Sequence, residues 1–216
     1  MGIPVLILGE SGSGKSSSMR NFAPDEVGIF NVASKPLPFR KQLAHVDNPG
    51  YQKILAGLQK PKLKTYVIDD SQYLMVFDSF EKAQETGYGK FTAMAQNMYS
   101  LLRTIQVGTP PDILVYFLHH TDKTDDGRTR AKTLGKMLDN QLSFEGMFSV
   151  VLLCKTDGQS HWFETQSDGM TCVKSPMGMF DTPQIDNDLK LVDTKIREYW
   201  GLTAPQKSQE EQNETV

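Results

Sequence analysis

Residues 3–16 read Ile-Pro-Val-Leu-Ile-Leu-Gly-Glu-Ser-Gly-Ser-Gly-Lys-Ser, an apolar run that breaks into a glycine-rich loop ending in Gly-Lys-Ser. The loop fits G-x-x-x-x-G-K-[ST] at every fixed position. The spacing has a physical meaning. A buried strand ends, glycines let backbone N–H groups turn inward around phosphate oxygens, and a helix begins with its positive dipole end on them. Gly9, Glu10, Ser11, Gly12, Ser13, Gly14, Lys15 and Ser16 are therefore the candidate ATP-binding residues. Lys15 is expected to reach the β- and γ-phosphates and Ser16 to bind Mg²⁺. Residues 17–22 continue as a short helix that Pro24-Asp25 stops.

The 216 residues suffice for one sizeable core, and 38% hydrophobic with 23% charged residues is an ordinary globular composition. The start lacks the basic segment of a secretory signal, and no apolar run approaches the ~20 residues of a membrane span. Cys154 and Cys172 form no C-x-x-C pair, so ordinary thiols in a cytoplasmic protein are expected, with no membrane contact. A net charge of −3 neither advertises nor excludes a nucleic-acid binder, because a local basic patch supplies phosphate contacts.

Beyond the loop, strands are expected at 27–32, 113–118 and 148–154 and helices at 51–59, 73–87, 91–106, 137–145 and 185–200. The loop 34–39, with two prolines, leaves strand two near the nucleotide if strands one and two are parallel, making Lys35 a candidate phosphate contact or a solvated lysine. Asp47-Asn48-Pro49-Gly50 matches D-x-x-G, but without an N-K-x-D to read guanine it reads as a turn. The second anchor is residues 63–74, where Tyr66-Val67-Ile68 ends in Asp69-Asp70, the Walker B pattern. One strand intervenes between the two anchors, so the Walker B strand is expected away from strand one, as in P-loop proteins that hydrolyse ATP to drive work. Asp69 is then assigned to Mg²⁺ and Asp70 to the attacking water, with the shifted assignment, Asp70 on the metal, as the alternative.

The strand at 113–118 ends in His119-His120, where a polar side chain can sense the γ-phosphate; one of the pair is expected to do so. A metal site is the rival reading, but adjacent residues of a strand point to opposite sides. Residues 122–136 have no apolar period and read as a long loop carrying Arg128, Arg130, Lys132 and Lys136, a candidate single-stranded DNA or RNA contact. Residues 161–165 and 170–174 read as an antiparallel hairpin, and from residue 203 a polar composition reads as a disordered tail. The expected organisation is one domain over 1–203 and a tail over 204–216.

Together the loop at Gly9 to Ser16, the run Ile68-Asp69-Asp70-Ser71-Gln72-Tyr73-Leu74, His119-His120, the basic loop and the stretch Val173-Lys174-Ser175-Pro176 make the chain resemble small bacteriophage ATPases with a RecA-like core. The resemblance runs to about Trp200. It implies an α/β P-loop fold, a mostly parallel sheet flanked by helices with a C-terminal antiparallel hairpin. It also implies a homo-oligomer acting in recombination beside phage single-strand-binding and annealing proteins, in the cytoplasm of an infected bacterium. By that resemblance Lys174 acts on a neighbouring subunit's γ-phosphate and the loop 121–136 faces DNA. RecA-like proteins usually carry a catalytic glutamate at the end of strand two, where this chain has Ala33-Ser34-Lys35. Either Asp70 takes that task or hydrolysis is slow, and in the second case the chain is a nucleotide-switched loader or regulator of a protein partner.

Overall fold

A computed structural model of the chain describes residues 1–85, 87, 89–134 and 143–202. Apolar β-formers in unbroken runs make the central strands: β1 (Ile3–Gly9), β2 (Val27–Asn31), β4 (Thr65–Asp69), β5 (Leu114–Lys123) and β7 (Val150–Thr156). Shorter strands complete the sheet: β3 (His45–Asp47), β6 (Thr129–Ala131), β8 (His161–Glu164) and β9 (Gln184–Asp186). The order is β3-β2-β4-β5-β1-β7-β8-β9, with β6 paired to β5. From β3 to β7 every neighbour is parallel, whereas β8, β9 and β6 join antiparallel.

Parallel strands are buried on both faces, and side chains alternate between them. Leu6, Leu8, Phe30 and Ile68 pack on one side against helices α1 (Tyr51–Gln59), α2 (Tyr73–Glu81) and α3 (Gly89–Gly108). The methionine-bearing stripe Met94, Met98, Leu101, Leu102 and Ile105 of α3 is wholly core. Val5, Ile7, Val67 and Tyr116 pack on the other side against Met19, Phe22 and helix α4 (Leu189–Trp200). The result is an α/β fold with a mostly parallel mixed sheet between helical layers.

Helix α4 is delimited by its ends. The Asp188 side chain accepts from the N–H groups of Lys190 and Leu191, and Gly201 closes the helix at φ +61°. Between them Arg197 donates to the Asp193 carboxylate (2.6 Å) and to the carbonyls of Asp112 (3.0 Å) and Lys64 (2.9 Å). Those carbonyls precede β5 and β4, so the helix is stapled to the end of the sheet away from the glycine-rich loop.

Four expectations change, one of them the helix at 185–200, which starts at Leu189 because Gln184–Asp186 form β9. Residues 45–47, of which only Asp47 belongs to the expected turn, form β3 beside β2. Strand β5 does not stop at 118; it runs to Lys123 and folds back as a hairpin, Thr121 opposite Ala131. The hairpin expected between 161–165 and 170–174 is absent: β8 pairs with β7 and β9, because Asp157-Gly158 turns β7 straight into β8. Residues 170–174 instead touch Thr129 and Val151 through single bridges. The expected helix at 137–145 falls largely, and the tail at 204–216 entirely, outside the described residues; Glu145–Met147 form a short 3-10 turn.

Candidate nucleotide site

The glycine-rich loop hangs from the carboxyl end of β1, and β5, not β4, is the neighbour of β1 on that side. The strand ending in Asp69-Asp70 thus stands one strand removed from the loop, as the intervening run implied. Gly12 (φ +79°) and Gly14 (φ +99°) occupy the left-handed region that turns successive amides to one side. The N–H of Ser13 bonds the Glu10 carbonyl (3.2 Å) and that of Ser18 bonds the Gly14 carbonyl (3.1 Å). The N–H groups of Gly14 and Lys15 meet no acceptor among the described residues. Gly9 must lack a side chain, since a Cβ there would strike Ser13 Oγ and the Cys154 carbonyl. The helix after the loop is a short 3-10 turn, Ser16–Asn21, so the loop amides rather than a long helix dipole supply the positive field.

Lys15 is buried, its ammonium donating to the carbonyls of Gly9 (2.8 Å) and Glu10 (2.9 Å). Burial lowers its pKa, with Cys154, Asp70 and Asp69 pulling the other way. Ser16 Oγ donates to Asp69 Oδ1 (2.8 Å), which joins the first and second anchors directly across 53 residues of sequence. Burial pushes the Asp69 carboxyl up to about 6, against the bond from Ser16. This hydroxyl and carboxylate are hard oxygens side by side, a donor set that suits Mg²⁺, which takes one or two protein oxygens and fills its octahedron with phosphate and water. No cluster of three His, Cys, Asp or Glu side chains exists among the described residues, so any metal there needs a ligand's oxygens as well.

Asp70 stands at φ +57°, strained for a non-glycine residue, in the first position beyond β4. Its Oδ2 accepts from Lys35 Nζ (2.7 Å) and its Oδ1 from His120 Nε2 (3.2 Å). Burial would raise its pKa, but the bonds from His120 and Lys35 outweigh it and hold the carboxyl at about 2. Lys35 also lies 5.2 Å from the Tyr73 ring centroid, and His120 meets the same ring edge-on. Together Gly14, Lys15, Lys35, Asp70 and His120 wall a cavity of about 270 Å³.

His119 and His120 separate, as adjacent residues of one strand must. His120 reaches the cavity. His119 is fully buried on the opposite face, its Nε2–H donating to the Lys132 carbonyl (2.9 Å) and its Nδ1 accepting from the Ser71 hydroxyl (2.9 Å). Burial lowers its pKa to about 3, so it is a neutral brace, and of the two histidines only His120 lines the cavity.

Glu10 and Ser13 wall a separate hollow of about 230 Å³ on the other side of the loop, with Thr121, Thr129 and Cys154. Lys174 is not among the residues that line the loop cavity; its backbone bonds Val151, three residues before Cys154, the β7 residue opposite Gly9. On the hairpin, Arg128 pairs with Asp126 two residues before it (3.0 Å), and folding back brings Asp122 to Arg130 (3.7 Å), so two of the candidate basic residues have acids beside them. Lys132 is exposed, and Lys136 lies outside the described residues. Sequence reasoning missed His161, which lines the cavity with Nδ1 2.8 Å from the Ser13 carbonyl. Only the register of β8 on β7 brings it there, and no local signal carries that register.

No protein-family model matches the chain, and no curated protein matches it. No helix among the described residues is long and apolar enough to cross a membrane.

Proposed function

We propose that the chain is a Mg²⁺-dependent ATPase of the RecA-like P-loop kind that binds single-stranded DNA, in the manner of the small bacteriophage recombination ATPases it resembles. The observation that carries this reading is the meeting of Lys15, Ser16 and Asp69 at the carboxyl ends of β1 and β4, with β5 between those strands. A crevice outside the carboxyl ends of parallel strands is where such sheets bind ligands.

The amides of Gly14 and Lys15 and the Lys15 ammonium offer positive charge to phosphate oxygens. Ser16 and Asp69 would hold Mg²⁺, whose charge offsets that developing on the transferred phosphoryl group. Asp70 is the carboxylate that orients and polarises the attacking water, and His120, bonded to it, reads the γ-phosphate. Lys174 would act only on the site of a second copy, within a homo-oligomer. The β5–β6 hairpin, with Arg128, Arg130 and Lys132, is the strand-binding element.

ATP turnover measured with and without single-stranded DNA tests the reading, with Lys15→Ala as control. Stimulation by single strands that is lost in Lys15→Ala supports it; no stimulation, together with no shift of single strands at low salt, overturns the DNA part. Arg128→Ala and Lys132→Ala are each expected to lower the salt slope of binding by about one.

One observation favours a second reading. Both Asp70 oxygens already accept a bond, from Lys35 and His120, which leaves one acceptor site on each and draws charge away from the carboxylate that would polarise water. A nucleotide-switched module that loads or regulates a protein partner with slow turnover fits that arrangement. Capture of one partner that requires ATP and persists with Asp70→Ala would favour it.

A further inference from the structure

A trans peptide points its C=O and its N–H in opposite directions. In the loop, the direction of the Gly14 N–H is therefore set by whatever holds the Ser13 carbonyl. Two side chains from outside the loop hold it. His161, the first residue of β8, places Nδ1 2.8 Å from that oxygen, and Cys154, near the end of β7, places Sγ 2.9 Å from it. A carbonyl only accepts, so both must donate, which fixes the proton of His161 on Nδ1.

Both donors are themselves anchored. The turn between β7 and β8 is closed by Asp157, whose Oδ1 accepts from the N–H groups of Gln159 (2.9 Å) and Ser160 (2.7 Å), and by Thr156 Oγ1 donating to the Ser160 carbonyl (2.7 Å). The Cys154 sulfur accepts from Asn187 Nδ2 (3.1 Å), and the Asn187 carbonyl accepts from Arg20 (2.6 Å) on the turn that follows the loop. Burial pushes the Cys154 thiol up to about 11, so it keeps the proton it donates. Contact with His161 is close enough that a Cβ on Gly14 would lie 2.9 Å from the ring nitrogen. Gly14 is thus required twice, by its φ of +99° and by the imidazole.

We propose that His161 and Cys154 are positioning residues that clamp the Ser13–Gly14 peptide with its carbonyl turned outward, so that the Gly14 N–H faces a bound phosphate. The clamp rests on the nucleotide reading of the loop and adds two residues that neither phosphate-loop motif contains. Turning the Ser13–Gly14 peptide over would break both hydrogen bonds to the Ser13 carbonyl. Preorganised donors of this kind spend no reorganisation when charge arrives.

The test uses the full chain, with ADP affinity measured by calorimetry and the Gly14 amide resonance followed as inorganic pyrophosphate is added. His161→Ala and Cys154→Ala are each expected to weaken ADP about 3- to 10-fold, the worth of one net hydrogen bond. His161→Asn and Cys154→Ser keep a donor at the same place and are expected to restore affinity to within about twofold. The pyrophosphate-induced shift of the Gly14 amide should shrink in the alanine variants and return in the conservative ones. A merely structural role would lower the melting temperature without that pattern. His161→Ala with wild-type ADP affinity and an unaltered Gly14 shift overturns the clamp alone, whereas failure of the wild-type chain to bind ADP overturns the clamp and the nucleotide reading together.

Discussion

Asp70 combines a left-handed backbone, an ion pair to Lys35, a bond to His120 and a carboxyl held at about 2. Asp70→Asn keeps the shape and removes the charge, and is expected to lower ATP turnover by about 10²- to 10⁴-fold, the usual contribution of a positioned acid or base. Lys35→Met frees one oxygen of Asp70 and is expected to raise basal turnover; a fall instead would place Lys35 in the reaction itself. His119 gives a pH prediction of opposite character. Its pKa in the fold, about 3, lies below the ordinary value near 6.5, so protons favour the unfolded chain. Its stabilising effect is complete above about pH 6.5 and is lost as pH falls towards 3, at up to about 1.4 kcal/mol per pH unit. Because Asp69, raised to about 6, acts with the opposite sign over the same range, the reading is the difference between two urea titrations from pH 7 to 4: the wild type should lose more stability than His119→Gln as pH falls. Adjacent histidines looked equivalent in the sequence. Strand alternation told that they part, but which one faces the loop depends on the face β5 turns to the Asp69-Asp70 strand, and only the packed sheet decides that.

At the scale of elements, helix α4 contributes most where its function is least visible. The Asp193–Arg197 pair is buried on both sides and linked to Thr65 and Tyr116. Removing one partner leaves an uncompensated buried charge, so Arg197→Met is expected to cost about 3–5 kcal/mol in urea denaturation. The double variant Asp193→Leu, Arg197→Met should recover most of it, because a well-packed apolar pair replaces a buried ion pair at little net cost. The long apolar runs of β1, β2, β4, β5 and β7 and the helical periods of α1 and α3 were legible because each buries a continuous stripe or both faces of a strand. Residues 45–47 were not, since three residues with one apolar side chain carry no period. The polar extension of β5 past His119 was missed for the same reason: its pairing is with β6 outside the parallel sheet, where exposed Asp122 and Lys123 cost nothing. Residues 170–174 alternate like a strand, but β9 takes the edge of β8 they were expected to fill.

At the scale of the molecule, the two sequence anchors are brought together by strand order. The loop leaves β1, Asp69 leaves β4, and β5 between them delivers His120 to the same crevice, while β8 adds His161 to its wall and β7 supports the loop through Cys154. The motif half of this site was readable from spacing alone. The supporting half, Lys35 on Asp70 and His161 on Ser13, arises from contacts 35 and 148 residues apart and has no local signature. The proposed function requires this crevice to hold Mg·ATP through Lys15, Ser16 and Asp69. Calorimetric ATP affinity in the presence and absence of Mg²⁺, for the wild type, Lys15→Ala and Asp69→Asn, tests it most directly. The expected result is Mg²⁺-enhanced binding by the wild type, a loss of about 10- to 100-fold in Lys15→Ala, and loss of the Mg²⁺ enhancement in Asp69→Asn. Absence of ATP binding by the wild type, or equal binding by Lys15→Ala, would contradict it.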